Sequence, residues 1–328
     1  MLGAAGAEGH SLRIEAGVDL RQWGIIAAEK GLPSWNFTDP DGAGDSARRY
    51  YRLVEARPPA LTPHASWKSS IGLPGDPFLS PPISGTGSIF DATEVRWIKF
   101  ALVVDDLPRV IFQDSAPYPF HYPFATERLH PFLGMGADEF DALSLFREGQ
   151  QVILGAVLWA PTRGEFGIQF VGRDPYPPEM LRFLFRAVEA NIELPDGTRG
   201  FYMPTFEQSP SAVAASSYLE AHGIELGSVD RWFVSDNCYT RGWALGRLVF
   251  VSGDQIESAY RSGELLPTDI LLTDGVPAEI PFVAGIITTA PASPNSHVAI
   301  LAQSFGVPFV YLAGEAEQER AHSLVGRE

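Results

Sequence analysis

The chain's nucleophilic and metal chemistry has to come from seven histidines, one cysteine and the ordinary carboxylates and hydroxyls. The informative histidine is His297, within Gly285-Ile-Ile-Thr-Thr-Ala-Pro-Ala-Ser-Pro-Asn-Ser-His-Val-Ala-Ile-Leu-Ala-Gln-Ser-Phe-Gly-Val-Pro-Phe-Val-Tyr-Leu312. Residues 286–289 read as a short buried strand and residues 290–295 as a proline-punctuated loop. Asn295 or Ser296 suits a helix N-cap, residues 297–305 an apolar helix, and Gly306 its C′ position. Residues 307–312 read as a second strand, parallel to the first because a helix crosses between them. His297 therefore falls in the first helical turn, where free backbone N–H groups and the dipole favour an anion. An imidazole is largely unprotonated at pH 7 and can act as a covalent nucleophile. A phosphoryl group taken up on its nitrogen would meet those same N–H groups. The position also suits a histidine that only caps or packs at a helix start, and spacing alone leaves both readings open.

Elements upstream must position this unit. Residues 94–104 read as a strand, 105–108 as a turn and 109–113 as the returning strand of a hairpin. Residues 138–146 are helical in pattern, and 151–159 with 165–171 form a second strand pair. The clearest helix is 177–190, with proline at its start and apolar residues at Leu181, Leu184, Phe185 and Val188. A further helix is expected over 209–220, closed by Gly223. Residues 246–252 and 269–273 read as strands and 254–262 as a helix. Residues 1–85 are rich in proline and glycine, and are expected to be irregular, with a short helix over 46–55. The organisation expected is an irregular region 1–85 packed on an α+β domain of unknown role, 86–222, and then a second unit, 224–328.

Length and composition set outer bounds. The 328 residues suffice for two domains at about 150 residues each, and 45% hydrophobic with 20% charged residues is a globular balance. A formal net charge of −16 argues against nucleic acid and against an anionic membrane surface as partners. The single Cys238 excludes an internal disulfide and any multi-cysteine metal site, which suits a reducing, cytoplasmic setting. No apolar run reaches the roughly 20 residues of a membrane helix. All three lysines lie at or before residue 99, so a nucleotide domain that grips phosphate with lysine is not expected in the C-terminal two thirds.

Other chemistry is thinner. Tyr118-Pro-Phe-His-Tyr-Pro-Phe124 is either an aromatic platform for a sugar or other substrate, with Tyr118, His121 and Tyr122 as its binding residues, or a proline-fixed loop sealing a core. His121 and His130 show no ligand spacing, so no metal site is expected there. The glycines of 85–87 and 134–136 lack the third glycine of a dinucleotide loop and read as turns.

Ser296-His-Val-Ala-Ile-Leu-Ala302, followed by Phe305-Gly-Val-Pro-Phe309, resembles the phosphohistidine swivelling domain of the dikinases. That family includes pyruvate phosphate dikinase, phosphoenolpyruvate synthase, the glucan water dikinases and rifampicin phosphotransferase. Residues 240–249 resemble its entry strand and 266–272 its Pro-Gly-Asp-Val-Leu-Val strand, so the likeness runs over residues 236–314. It departs from the family where Ala292–Asn295 replaces a glycine-rich loop and where Gln303 replaces an arginine. Residues 94–130 also look like the N-terminal region of bacterial proteins described as phosphoenolpyruvate/pyruvate-binding.

The resemblance implies a β/β/α swivelling fold for residues 224–328, with His297 as the residue transiently phosphorylated. Asn295, Ser296 and Val298 at the helix start, with Gln303 and Arg247, are the phosphate-stabilising set it suggests. It implies ATP and Mg²⁺, bound not by this chain but by an ATP-grasp domain in a longer protein or a separate subunit. The chain is then expected to be a fragment or component of a dikinase-like phosphotransferase, serving a small-molecule or glucan acceptor. The alternative expectation is a carbohydrate- or protein-binding module whose swivelling domain is inert. An open anion pocket beside His297 favours the first, and a loop filled by side chains the second.

Overall fold

The computed structural model describes residues 2–327 except 6, 8, 32–33, 43–47, 62–63, 82, 85–93, 233–234, 278 and 294. The expected turn at 85–87 and the start of the expected 46–55 helix lie outside the described residues. The fold is mixed α/β, with several sheets.

Its centre is the ten-residue strand Glu94–Val103, flanked by antiparallel Val152–Ala160 and Ile111–Gln113. Glu165–Val171 continues the sheet beyond Val152–Ala160, and parallel Arg199–Tyr202 and Glu225–Leu226 close that edge. Side chains alternate between faces along a strand. Ile98, Phe100 and Leu102 point to one face, where helix Pro178–Glu189 lays down Leu181, Leu184, Phe185 and Val188. Apolar residues fall there at a helical spacing, so burial and periodicity agree.

The opposite face is divided between two covering layers. Ala101 and Val103, with Val152 and Leu154, support helices His121–Arg128 and Ala137–Ser144 through Phe124, Ala125 and Phe140. Val95 and Trp97, with Leu158, Ala160, Phe201 and Met203, support Tyr239, Val298, Ala299, Ala302 and Phe309 from the C-terminal part of the chain. Lys99 falls on the boundary. In register with it across the next two strands lie Ala156 and then Gln169.

Those C-terminal residues belong to a second sheet and a helix on it, the sheet ordered Asn237–Thr240, Phe309–Tyr311, Gly285–Thr288, Ile270–Thr273, Leu248–Phe250. The last four strands run parallel and the first antiparallel. Helix His297–Phe305 covers the face turned to the large sheet, and Glu315–Ser323 packs Ala321 on the other. The chain reaches this sheet from a fixed point. Arg231 holds Glu165 through two bonds of 2.9 Å, and the Trp232 indole donates to the same carboxylate at 2.8 Å.

Two local expectations need correction. The N-terminal region is not irregular throughout: Gly24–Lys30, Ser11–Gly17 and Tyr50–Ala56 form an antiparallel sheet in that order, so 50–55 is strand, not helix. Tyr and Val suit a half-exposed strand, and pairing of Val54 with Arg13 and Tyr51 with Ala16 satisfies the backbone. The helix expected over 209–220 is two, Ser209–Ala214 and Ser216–Ala221, offset where the Ala215 amide is shared between the Ser211 and Ala212 carbonyls.

Gly155 tests the packing at the sheet centre. A β-carbon there would collide with the Phe100 ring and the Gln169 carbonyl. Gly155→Ala is expected to destabilise by about 1–3 kcal/mol, the usual cost of overpacking, read as a lower urea midpoint. An unchanged midpoint would mean that Phe100 turns aside freely.

Candidate functional site

The His297 loop leaves the C-terminal ends of the parallel strands, the usual place for ligands in such sheets. Two of these strand ends are fastened by threonines. Thr288 Oγ1 donates to the Ala290 carbonyl at 2.7 Å and accepts from its amide at 3.1 Å, and Thr273 does the same for Gly275 at 3.1 and 3.3 Å. The Tyr239 hydroxyl then grips Ala292 from the edge strand, donating to its carbonyl and accepting from its amide, both at 2.8 Å. Ser296 caps the helix by accepting from the Ala299 amide at 3.2 Å, and Gly306 ends it at φ 67°. His297 is thus the first residue of helix His297–Phe305.

The large sheet supplies the surroundings. The His297 ring meets Phe120 edge to face, with centroids 5.1 Å apart. Phe120 is held by buried Gln113, whose amide donates to the Tyr118 carbonyl at 2.7 Å and the Phe120 carbonyl at 3.2 Å. Lys99 lies beyond, 2% exposed, its Nζ 5.6 Å from the Trp97 ring centroid and 5.4 Å from that of Phe120. Among the described residues it makes no hydrogen bond and no ion pair. His121 is buried beside it, with Nε2 2.9 Å from the Gly155 carbonyl oxygen. Ser293 of the loop reaches across to Gln169 Oε1 at 3.1 Å and also contacts Asn295.

Between these groups lies a cavity of about 480 Å³. Lys99, His121, Asp141 and Gln169 line it from the large-sheet side, and Ser293, Asn295, Ser296 and His297 from the side of the second sheet. His297 is exposed to this space yet enclosed by protein around it, and both facts matter. Burial, aided by the Lys99 charge, pulls its imidazole down to about 4. Burial also holds His121 well below the usual histidine range, again with Lys99 contributing. Burial alone pulls Lys99 down to about 7. At neutral pH both imidazoles are therefore uncharged and Lys99 titrates. Asp141 is pushed upward by burial.

The residues expected from sequence divide clearly. His297, Ser296 and Asn295 line the cavity, and Val298 follows in the same helical turn with its side chain packed under the helix. His121 and Tyr122 line it as well, but as the opening residues of a helix rather than within a loop. Tyr118 does not: its hydroxyl donates to Glu127 at 3.0 Å and its ring packs on Phe124. Gln303 is two turns along the helix, exposed, donating to the Tyr239 carbonyl at 3.1 Å. Arg247 precedes the start of its strand, bonded to Asp269 at 2.9 Å and to the Glu264 carbonyl at 3.0 Å. Because the strands are parallel, that edge lies opposite the His297 loop, so in this arrangement neither Gln303 nor Arg247 reaches the cavity. Lys99, Gln169 and Asp141 were not expected from sequence. The available signal was a single polar residue within an apolar strand, as in Trp97-Ile-Lys-Phe-Ala101 and Phe166-Gly-Ile-Gln-Phe-Val171. Among the described residues no cluster of three or more His, Cys, Asp or Glu is arranged to hold a metal, and no helix is long and apolar enough to cross a membrane.

An unpaired buried ammonium is a burden on folding. The drop from the ordinary lysine value of 10.5 to about 7 corresponds to roughly 5 kcal/mol against keeping Lys99 charged. That penalty is complete below pH 7, where both native and unfolded lysine are protonated. It is relieved as pH rises toward 10.5, where the unfolded chain binds the extra proton. Lys99→Met is expected to stabilise the protein at pH 7 by roughly 1–4 kcal/mol, with the gain shrinking between pH 7 and 10.5 in thermal unfolding. A loss of stability at pH 7 would mean that the ammonium has a partner in solution.

Residues 264–325 match the family model for the PEP-utilising enzyme mobile domain. Comparison with curated proteins and with solved structures gives no match. The matched segment begins after the expected entry strand and runs on through helix Glu315–Ser323. It contains the Ile270–Thr273, Gly285–Thr288 and Phe309–Tyr311 strands and the helix that opens with His297. A domain of this family suggests a role connected with phosphoryl transfer. The match, and the elements on which it falls, identify residues 264–325 as a mobile domain of the PEP-utilising enzymes.

Proposed function

We propose that this chain is the phosphoryl-carrying component of a dikinase-like phosphotransferase, with His297 as the carrier. The observation that carries the reading is an uncharged imidazole at a helix N-terminus, opening on a cavity, within a matched mobile domain. An uncharged ring nitrogen has its lone pair free to attack phosphorus. The first-turn amides of the helix then face the oxygens of the bound phosphoryl group. Ser296 keeps its hydroxyl at the same place as the cap, and Asn295 lies beside it.

In this reading the phosphoryl donor is ATP with Mg²⁺, held by an ATP-grasp domain of the same longer protein or of a partner subunit. Mg²⁺ there offsets phosphate charge during transfer. A cytoplasmic setting supplies both. The space beside His297 favours a working carrier over an inert binding module, because Ala292, Ser293 and Asn295 line it without filling it.

The test is acid-labile, base-stable label on His297. The full-length protein, with its nucleotide-binding partner, is given Mg²⁺ and ATP labelled at either the β or the γ phosphorus. Label from the β position, absent in His297→Ala, is expected. No label on a folded protein whose partner hydrolyses ATP would overturn the carrier reading.

A further inference from the structure

We infer that the cavity between the mobile domain and the large sheet is the acceptor site, where Lys99 binds the phosphoryl group carried by His297 and a mainly apolar small molecule receives it on a hydroxyl. This rests on the carrier reading, and it assigns the large sheet a share of the chemistry.

Three observations converge. The first is Lys99. It is buried, lines the cavity that His297 lines, and has no counter-charge or hydrogen-bond acceptor among the described residues. A buried ammonium left without a partner is costly unless an anion visits it. A phosphoryl group on His297 is an anion delivered to that space. The second is a pair of orphaned hydroxyls on the same wall. Ser144 and Thr205 are among the lining residues, and their buried hydroxyls have no hydrogen-bond partner among the described residues. A buried hydroxyl without a partner calls for an explanation, and a molecule in the adjoining cavity supplies one. The third is the remaining lining and the size. Phe140, Leu154, Val171, Met203, Val229 and Val276 make much of the wall apolar. About 480 Å³ is the scale of a site for a small organic molecule, with a few polar groups to orient it.

The transfer step balances without a further reactant. The acceptor hydroxyl oxygen attacks phosphorus. The O–P bond forms as the P–N bond to the His297 ring breaks, and that electron pair returns to the ring nitrogen. The hydroxyl proton ends on the same nitrogen, which leaves a phosphate monoester and neutral His297. Lys99, as the ammonium, offsets the charge on the phosphoryl oxygens while the group lies between nitrogen and oxygen.

The experiment loads the histidines of this chain chemically with potassium phosphoramidate, so it needs no ATP and no partner domain. Peptide masses report loading at His297. Lysine side-chain NMR follows Lys99, one of only three lysines, assigned with Lys99→Met. Loading is expected to raise the Lys99 titration midpoint by at least about one pH unit, and His297→Ala to abolish the rise. Benzyl alcohol is then added as the acceptor probe. It is expected to speed loss of phosphohistidine at least about tenfold and to yield benzyl phosphate. Lys99→Met, and separately Ser144→Phe, which fills the cavity, should each remove that acceleration. The inference is overturned if Lys99 does not respond to loading at His297, if benzyl phosphate fails to form, or if it forms equally in the Ser144→Phe protein. It is overturned too if His297 resists phosphoramidate while exposed histidines accept it. Failure of the carrier reading looks different: no label from ATP, with the Lys99 response and the transfer to benzyl alcohol intact.

Discussion

A charged nitrogen without a counter-ion, held inside an apolar sheet face, is the constraint around which this molecule is arranged. Lys99 stands on the central strand with Trp97 on one side and Ala101 on the other. Its neighbours in register are small Ala156 and then Gln169, which leaves a polar row across an otherwise hydrophobic surface. The two covering layers pack on the sheet to either side of that row. The helices His121–Arg128 and Ala137–Ser144 stop on one side, the mobile domain docks on the other, and the space between them is the cavity. Aromatic faces from Trp97 and Phe120 give the cation partial compensation, worth less than a carboxylate would be. The same unpaired charge helps to keep the facing imidazoles neutral. Stability and chemistry thus pull in opposite directions at one atom, as is common where a protein gives up packing for a site.

What could be read from the sequence was what local pattern encodes. The strand, loop, capped helix and strand around His297 announce themselves through Ser296, Gly306 and the apolar run between them, and the helix starts at His297 itself. Strands 94–103, 152–160 and 165–171 and the amphipathic helix 178–189 were equally plain. The N-terminal three-stranded sheet was hidden because abundant proline and glycine suggested disorder of pattern, whereas short alternating stretches such as Leu12, Ile14 and Ala16 were sufficient once paired. The expected domain limits follow from composition and remain a proposal about how the chain divides.

The other half of the site depends on register, which no local window contains. Lys99, Ala156 and Gln169 are far apart in sequence and meet only because two antiparallel pairings align them. Arg247 shows the same effect in reverse. Its charge and the sequence resemblance made it an expected phosphate ligand, yet parallel strands put it at the edge away from the His297 loop, on Asp269. Tyr118 and His121 are three residues apart, but one turns to Glu127 and the other to the cavity, because a helix begins between them.

The underside of helix His297–Phe305 has a consequence for motion. Val298, Ala299 and Ala302 rest against the same cluster as Val95, Trp97, Leu158 and Phe201, and the connecting chain is tied to the sheet at Glu165 by Arg231 and Trp232. Lifting the helix away wets both apolar surfaces at once, so the seated arrangement is favoured whenever nothing else competes for it. Any second surface that is to receive His297 must offer a bed of comparable hydrophobic area, since a population moves only as far as the difference in affinity between its two seats. On the proposed carrier reading, the large sheet therefore sets the fraction of time for which His297 is on offer elsewhere.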